Sequence, residues 1–156
     1  MTAWLANNGG AVATDTCGDV TWSNDFTGLS DECGATGSAT VVFTATDACG
    51  NTSTTTATFT IVDTTAPEFV ETLPSDVRME CDETLPAALT LTAEDGCSEA
   101  AVVFSEEIED VQCENTYTIV RTWTATDACG NSVSHTQRIF IEDTTAPIFV
   151  SNLPED

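Results

Sequence analysis

Cysteine is the residue in this chain whose type and spacing speak most directly of chemistry. Cys17, Cys33 and Cys49 are evenly spaced, and Cys81, Cys97, Cys113 and Cys129 follow at the same interval from one another. No two form the Cys-x-x-Cys pair of a zinc or redox motif. Thiols at such fixed intervals in a small repeat form disulfides, and disulfides place a protein in an oxidising, extracellular compartment. The second chemistry is carboxylate. Asp and Glu together number 26 against 3 Arg and no Lys, for a formal charge of −23. That excludes nucleic acid as a partner, which needs a basic footprint, and docking on anionic membrane through a polybasic patch. A chain this acidic could be disordered, but its apolar fraction of 41% argues for a folded core. The carboxylates then make a solvated surface, a calcium site, or both.

Catalysis finds no constellation. The single histidine, His135, lies on a strand-like segment with no nucleophile pattern beside it, so the expectation is a surface polar residue and no enzyme. The absence of Lys also excludes a Lys–Asn isopeptide crosslink. Asn51-Thr52-Ser53 fits an N-glycan acceptor.

The elements that position these groups come from internal repetition. Thr44-Ala45-Thr46-Asp47-Ala48-Cys49-Gly50-Asn51 recurs unchanged as residues 124–131, and Asp63-Thr64-Thr65-Ala66-Pro67 recurs as residues 143–147. Phe69-Val70 and Leu73-Pro74 recur at the same offset, as Phe149-Val150 and Leu153-Pro154, without insertion. Cys17, Cys33 and Cys49 map to Cys97, Cys113 and Cys129, while Cys81 maps to Met1. The expected organisation is a first repeat over 1–66 lacking its first strand, a complete second repeat over 67–146, and the opening strand of a third over 147–156. No signal peptide and no apolar run of membrane-spanning length is present, so the chain reads as a window on a longer secreted periodic array.

Within the second repeat, β-branched content and alternation predict strands near 76–81, 87–94, 100–108, 116–126 and 133–142. Gly, Asn, Asp and Pro punctuate between them. Short strands at this spacing, in a repeat of roughly 80 residues, predict an all-β, immunoglobulin-like sandwich in each repeat. Repeats in series predict an extended rod. In that topology Cys97 and Cys129 lie at one end of the repeat and Cys81 and Cys113 at the other. The expected bonds are Cys97–Cys129, Cys81–Cys113 and, by the repeat, Cys17–Cys49, with Cys33 lacking a partner within the chain. Each would close about 32 residues and add about 3.5–4 kcal/mol by loop entropy. Trp123 and Trp22 are expected in the core, the alternative being exposed sugar-stacking residues; Trp4 has no assignable place.

The segments Thr44–Asn51 and Ile61–Phe69 resemble hyalin-type (HYR-like) repeats, and most of all the cysteine-rich variants in giant surface adhesins of gliding bacteria that use type IX secretion. The resemblance covers essentially the whole chain. It implies an immunoglobulin-like fold, an extracellular location and an adhesive or fibre-forming role. It also implies O-glycan acceptors at Thr64 and Thr144, in Asp-Thr-Thr. The usual hyalin-type cysteine lies beyond the Gly-Asn pair, whereas here it lies before it, so the resemblance carries no disulfide pattern. A fainter likeness to cadherins rests on the linker Asp63–Pro67 and on Thr126, Asp127 and Gly130.

Calcium is the cofactor these residues raise. Glu94, Asp95, Asp127 and Asn131 gather at one end of the second repeat, and the linker brings Asp63. Calcium takes six to eight oxygen ligands. The competing reading is that Asp127 and Asn131 shape a turn and Asp63 ends a strand. Pro67 and Pro147 restrict the linkers in either case.

The function expected is a structural repeat of a secreted surface adhesin or extracellular filament. Its partners would be neighbouring repeats, further copies of the chain in a homo-oligomeric fibre, and a surface or cell target, with no membrane insertion. A carbohydrate- or ligand-binding module is the alternative. It would place aromatics alike in both repeats, yet Trp22 falls opposite Val102 and Trp123 opposite Phe43. A third possibility is a spacer attached to an enzyme.

Overall fold

The computed structural model describes residues 1–113 and 115–149. Almost all regular structure in it is strand, as the alternating sequence predicts. The exception is a single helical turn, α1 (Thr2–Ala6), followed by a 3₁₀ turn at Asn8–Gly10. One turn is too short to show a helical period in sequence. The chain divides into two compact units. The first holds Met1–Thr65 together with two short segments, Asp95–Glu99 and Ala128–Asn131. The second holds the chain from Ala66 onward apart from those segments.

In the first unit β1 (Thr21–Asn24), β2 (Gly37–Thr46) and β3 (Thr52–Ile61) form an antiparallel sheet in the order β1-β2-β3. Alternation along β2 turns Val41, Phe43 and Ala45 inward, where they are buried. Trp4 of α1 covers this face, its ring 5.4 Å from those of Phe43 and Phe59, within the range of favourable aromatic pairs. Trp22, expected in the core, is only half-buried on β1.

In the second unit β5 (Val77–Glu80), β7 (Ala100–Cys113), β8 (Thr116–Asp127) and β9 (Ser132–Glu142) form a sheet in the order β5-β9-β8-β7. β4 (Glu68–Phe69) and β6 (Ala93–Glu94) form a separate antiparallel pair. β5 runs parallel to β9, and the other pairings are antiparallel. Trp123, Ile139 and Ala125 are fully buried, and Val77, Met79 and Tyr117 pack on Ile119, Ile139 and Ile141. The Trp123 indole N–H donates to the Leu89 carbonyl at 3.0 Å, satisfying its one polar atom. Arg121 is buried and donates from Nε to Glu106 at 2.7 Å.

The strand expected over 87–94 is realised only at Ala93–Glu94. Its polar groups are claimed elsewhere: Thr92 N–H goes to the Glu71 carboxylate at 2.7 Å and Leu89 C=O to Trp123. Leu91 is nevertheless buried, so the apolar residues here serve the core without a ladder. The segment 147–149 carries no strand, and the remainder of the expected 147–156 strand lies outside the described residues.

The two sheets share a register. β2 pairs with β3 from Gly37↔Ile61 to Thr46↔Thr52, and β8 pairs with β9 from Tyr117↔Ile141 to Thr126↔Ser132. Trp22↔Ala45 likewise matches Val102↔Ala125. Each partner lies one full repeat beyond its counterpart, which puts Phe43 and Trp123 at the same core position.

Candidate functional site

Cys113 ends β7 and the other cysteines sit on turns or bends, three of which are built the same way. An aspartate two residues before the cysteine accepts its backbone N–H: Asp15 for Cys17 at 3.0 Å, Asp47 for Cys49 at 2.8 Å and Asp95 for Cys97 at 2.8 Å. These are Asx turns, in which a short carboxylate replaces a backbone acceptor. Asp47 also accepts from Asn51 through backbone and side chain, at 2.9 and 2.7 Å. The Asn51 side-chain bond is the main reason its carboxyl titrates below the usual aspartate value. Gly50 and Gly130, at φ +88° and +89°, close the two identical turns in a conformation costly for other residues.

The first unit gathers three of these turns with the end of β3. Cys33–Thr36 is a tight turn, with Thr36 N–H on Cys33 C=O at 3.1 Å and the Thr36 hydroxyl accepting Cys33 N–H at 3.1 Å. This turn lies against Asp95–Ser98: Ala35 N–H donates to Cys97 C=O at 2.9 Å. Gly34, at φ +57°, makes the approach possible, since a Cβ there would stand 2.4 Å from the Cys97 carbonyl oxygen. Ala128 N–H donates to the Ser98 hydroxyl at 3.2 Å. Within this cluster Cys33 bonds to Cys129, with Cα atoms 5.1 Å apart, inside the range a disulfide spans.

This bond replaces two expectations. Cys129 pairs with Cys33 rather than with Cys97, and Cys33 has its partner within the chain. The expected pairing treated each repeat as closed on itself and left out the Cys33 turn, which glycine at 34 lets approach the Cys97 turn. Cys17 and Cys49 carry exposed free thiols rather than the expected mutual bond, and so do Cys81 and Cys113. Partial loss of solvent around its sulfur, and then the charges of Asp143, Asp82 and Glu80, push the Cys81 thiol above its usual value.

Of the five residues expected to hold calcium, Asp63, Asp95 and Asn131 fall in the first unit, and Glu94 and Asp127 in the second. Oxygens of Asp63 and Asp95 and the Cys97 sulfur lie within 4.8 Å of one another. Asp63 Oδ1 accepts Thr65 N–H at 3.1 Å, while Oδ2 is buried with no hydrogen-bond partner. Asn131 turns its amide Nδ2 to the Asp63 carbonyl at 3.3 Å. The two carboxylates suit a hard cation, and the orphaned Oδ2 is what a ligand would satisfy. The sulfur does not suit calcium, which takes oxygen, and Asp95 already caps its own turn. Thr64 and Thr144 are both exposed. The Thr144 hydroxyl bonds Glu80, and that bond holds the Glu80 carboxyl below its usual value.

His135 is half-buried rather than on the surface: its Nε2 lies 2.8 Å from the Pro74 carbonyl, which fixes the proton on that nitrogen, and its ring leans on Trp123. Trp123 itself is fully buried and offers no stacking face to a sugar.

No protein-family model and no curated protein sequence matches the chain. Among solved structures it is similar to Drosophila N-cadherin EC1–4, at 14% identity and a TM-score of 0.35. The match covers 82% of this chain and 42% of that one. At that score the likeness carries no argument about fold or function. No helix among the described residues is long and apolar enough to cross a membrane.

Proposed function

We propose that this chain is a structural segment of a secreted, disulfide-stapled repeat array, the shaft of a surface adhesin or extracellular filament, with no catalytic role. The observation that carries this reading is the coincidence of two periods. Sequence and strand register recur at one and the same offset, without insertion, and the disulfide joins Cys33 of the first repeat to Cys129 of the second. A spacer needs uniform units joined firmly, and nearest-neighbour contacts supply the stability of such arrays. A unique ligand site gains nothing from repetition.

A shaft carries tension, and the test is mechanical. When the chain is pulled from its ends, the Cys33–Cys129 bond withholds the residues between them from extension. At about 3.5 Å per extended residue, the gain in contour length under oxidising conditions falls short of the reduced chain's by roughly 330 Å. Equal extension with and without reductant contradicts the reading.

Calcium belongs to this proposal as a local brace on Asp63 and Asp95, with backbone carbonyls and water completing its shell; the partnerless Asp63 Oδ2 supports it. A bound ion raises the melting temperature as its concentration rises. We expect calcium to stabilise the chain relative to chelator and D63N to abolish the difference. Identical melting with calcium and with chelator excludes the ion. Glycans at the exposed Thr64 and Thr144 would add bulk to the linkers, and a mass increment on those peptides from the native source checks them.

A further inference from the structure

We propose that the Cys33–Cys129 bond is one rung of a repeating crosslink, and that Cys113 and Cys49 are the two open halves of the next rung. Cys113 would bond the fourth-cysteine turn of another repeat, the turn that Cys49 presents in a second copy of this chain. The proposal rests on the array reading above and extends it.

The sequence separation of the observed bond is 96, the length of one repeat plus one interval between cysteines. A bond of that length cannot close inside a repeat. Translated by one repeat it begins at Cys113 and requires a partner beyond the repeat that holds it.

The accepting turn is present twice. Residues 44–51 match residues 124–131 in every position, and Gly50 and Gly130 share one backbone angle. Both turns leave strand pairs of identical register, so Cys49 occupies in its sheet the place Cys129 occupies in its own. Cys49 is exposed with a free thiol. The capped turn that receives the donor is repeated too: Asp15 caps Cys17 as Asp95 caps Cys97, the residue whose carbonyl binds Ala35 N–H, although Gly18 stands where Ser98 stands.

The sequence of the donating turn also recurs in part, as Cys33-x-x-Thr36 and Cys113-x-x-Thr116. Cys33 and Thr36 bond across the first, and Cys113 pairs with Thr116 in the β7–β8 register. Cys113 is exposed with a free thiol. Two substitutions separate the two sequences: Glu114 and Asn115 stand where Gly34 and Ala35 stand, and position 34 has no room for a Cβ. A Cβ in that seat would stand 2.4 Å from a backbone oxygen, so the second rung forms only with its two turns set farther apart than those of the first.

The chemistry is thiol–disulfide exchange. One thiolate attacks oxidised glutathione and expels glutathione thiolate, and the second thiolate attacks the mixed disulfide and expels another. Two protein thiols and one glutathione disulfide yield one protein disulfide and two glutathione thiols.

The test uses the chain carrying C17S and C81S, refolded in glutathione redox buffer, in two arms. In the first, concentrated chain is run on a non-reducing gel and its peptides mapped by mass spectrometry. In the second, the chain is lengthened by a further copy of residues 77–156, so that the partner turn lies in the same molecule. The expected result is a Cys113 peptide linked to Cys49 in the first arm, to the added copy of Cys129 in the second, or to both in turn. Multimers in the first arm collapse on reduction. An equal mixture of C49S and C113S chains stops at dimers, and E114G raises the yield severalfold. Cys33–Cys129 intact with no Cys113 crosslink in either arm overturns this proposal alone. Absence of the Cys33–Cys129 peptide overturns the array reading with it.

Discussion

Aspartate two residues before cysteine is the recurrent device of this chain at the residue scale. A carboxylate oxygen accepts the cysteine's own amide and holds the turn that presents the sulfur. Asp47 does structural work in its charged form, as does Glu71, whose bonds from Thr92 hold it below the usual glutamate value. A folded-state value below the ordinary one means stability that is present above the ordinary value and lost as pH falls through the folded one. Asp47, Glu71 and Glu80 start from ordinary values of 3.8, 4.5 and 4.5, so the loss begins below about pH 4.5. We expect D47N to flatten the fall of melting temperature between pH 5 and 3; an unchanged slope would show the turn to be indifferent to that charge. Gly34 is the more exacting residue. G34A puts a methyl group against the Cys97 carbonyl at a positive φ and is expected to cost about 1–3 kcal/mol in denaturant unfolding. The competing readings of Asp63 were both legible in sequence, whereas its partnerless oxygen depends on three-dimensional burial and was not.

Strand existence was readable at the element scale because alternation of β-branched residues leaves one face to bury. The segments near 100–108, 116–126 and 133–142 appear as β7, β8 and β9, somewhat extended. Residues 89–92 alternate in the same way but spend backbone groups on the Glu71 carboxylate and the Trp123 indole. Such side-chain partners come from far along the chain and leave no local signature. Trp123 was legible as core from its place in an apolar alternation, and W123A is expected to cost about 3–5 kcal/mol, leaving the Leu89 carbonyl without its donor. Trp4 was not legible, because it reaches the core from a single helical turn. We expect W4A to lower stability by at least about 2 kcal/mol through exposure of Phe43 and Phe59; a change within experimental error would make α1 an ornament.

At the scale of the whole molecule the period of the repeat was plain in the sequence, yet the disulfide was not. Pairing by proximity within one repeat gave Cys97–Cys129, because nothing in a pattern of spacings shows which turns have the room to meet. The actual bond joins cysteines at a sequence separation of 96, worth about 4.7 kcal/mol by chain entropy against about 3.7 kcal/mol for the shorter loops expected. Replacing either cysteine, as in C33S or C129S, is expected to cost about 4–5 kcal/mol, with the unfolding slope in denaturant increased as the freed chain exposes more surface. Because the bond spans the linker, it also fixes what a cut there does. A protease site placed between Val62 and Pro67, followed by cleavage and a denaturing gel, tests the central claim most directly. The account predicts one band without reductant that resolves into two fragments with it. Two fragments without reductant would mean that no disulfide crosses the linker, and the crosslinked array would be contradicted.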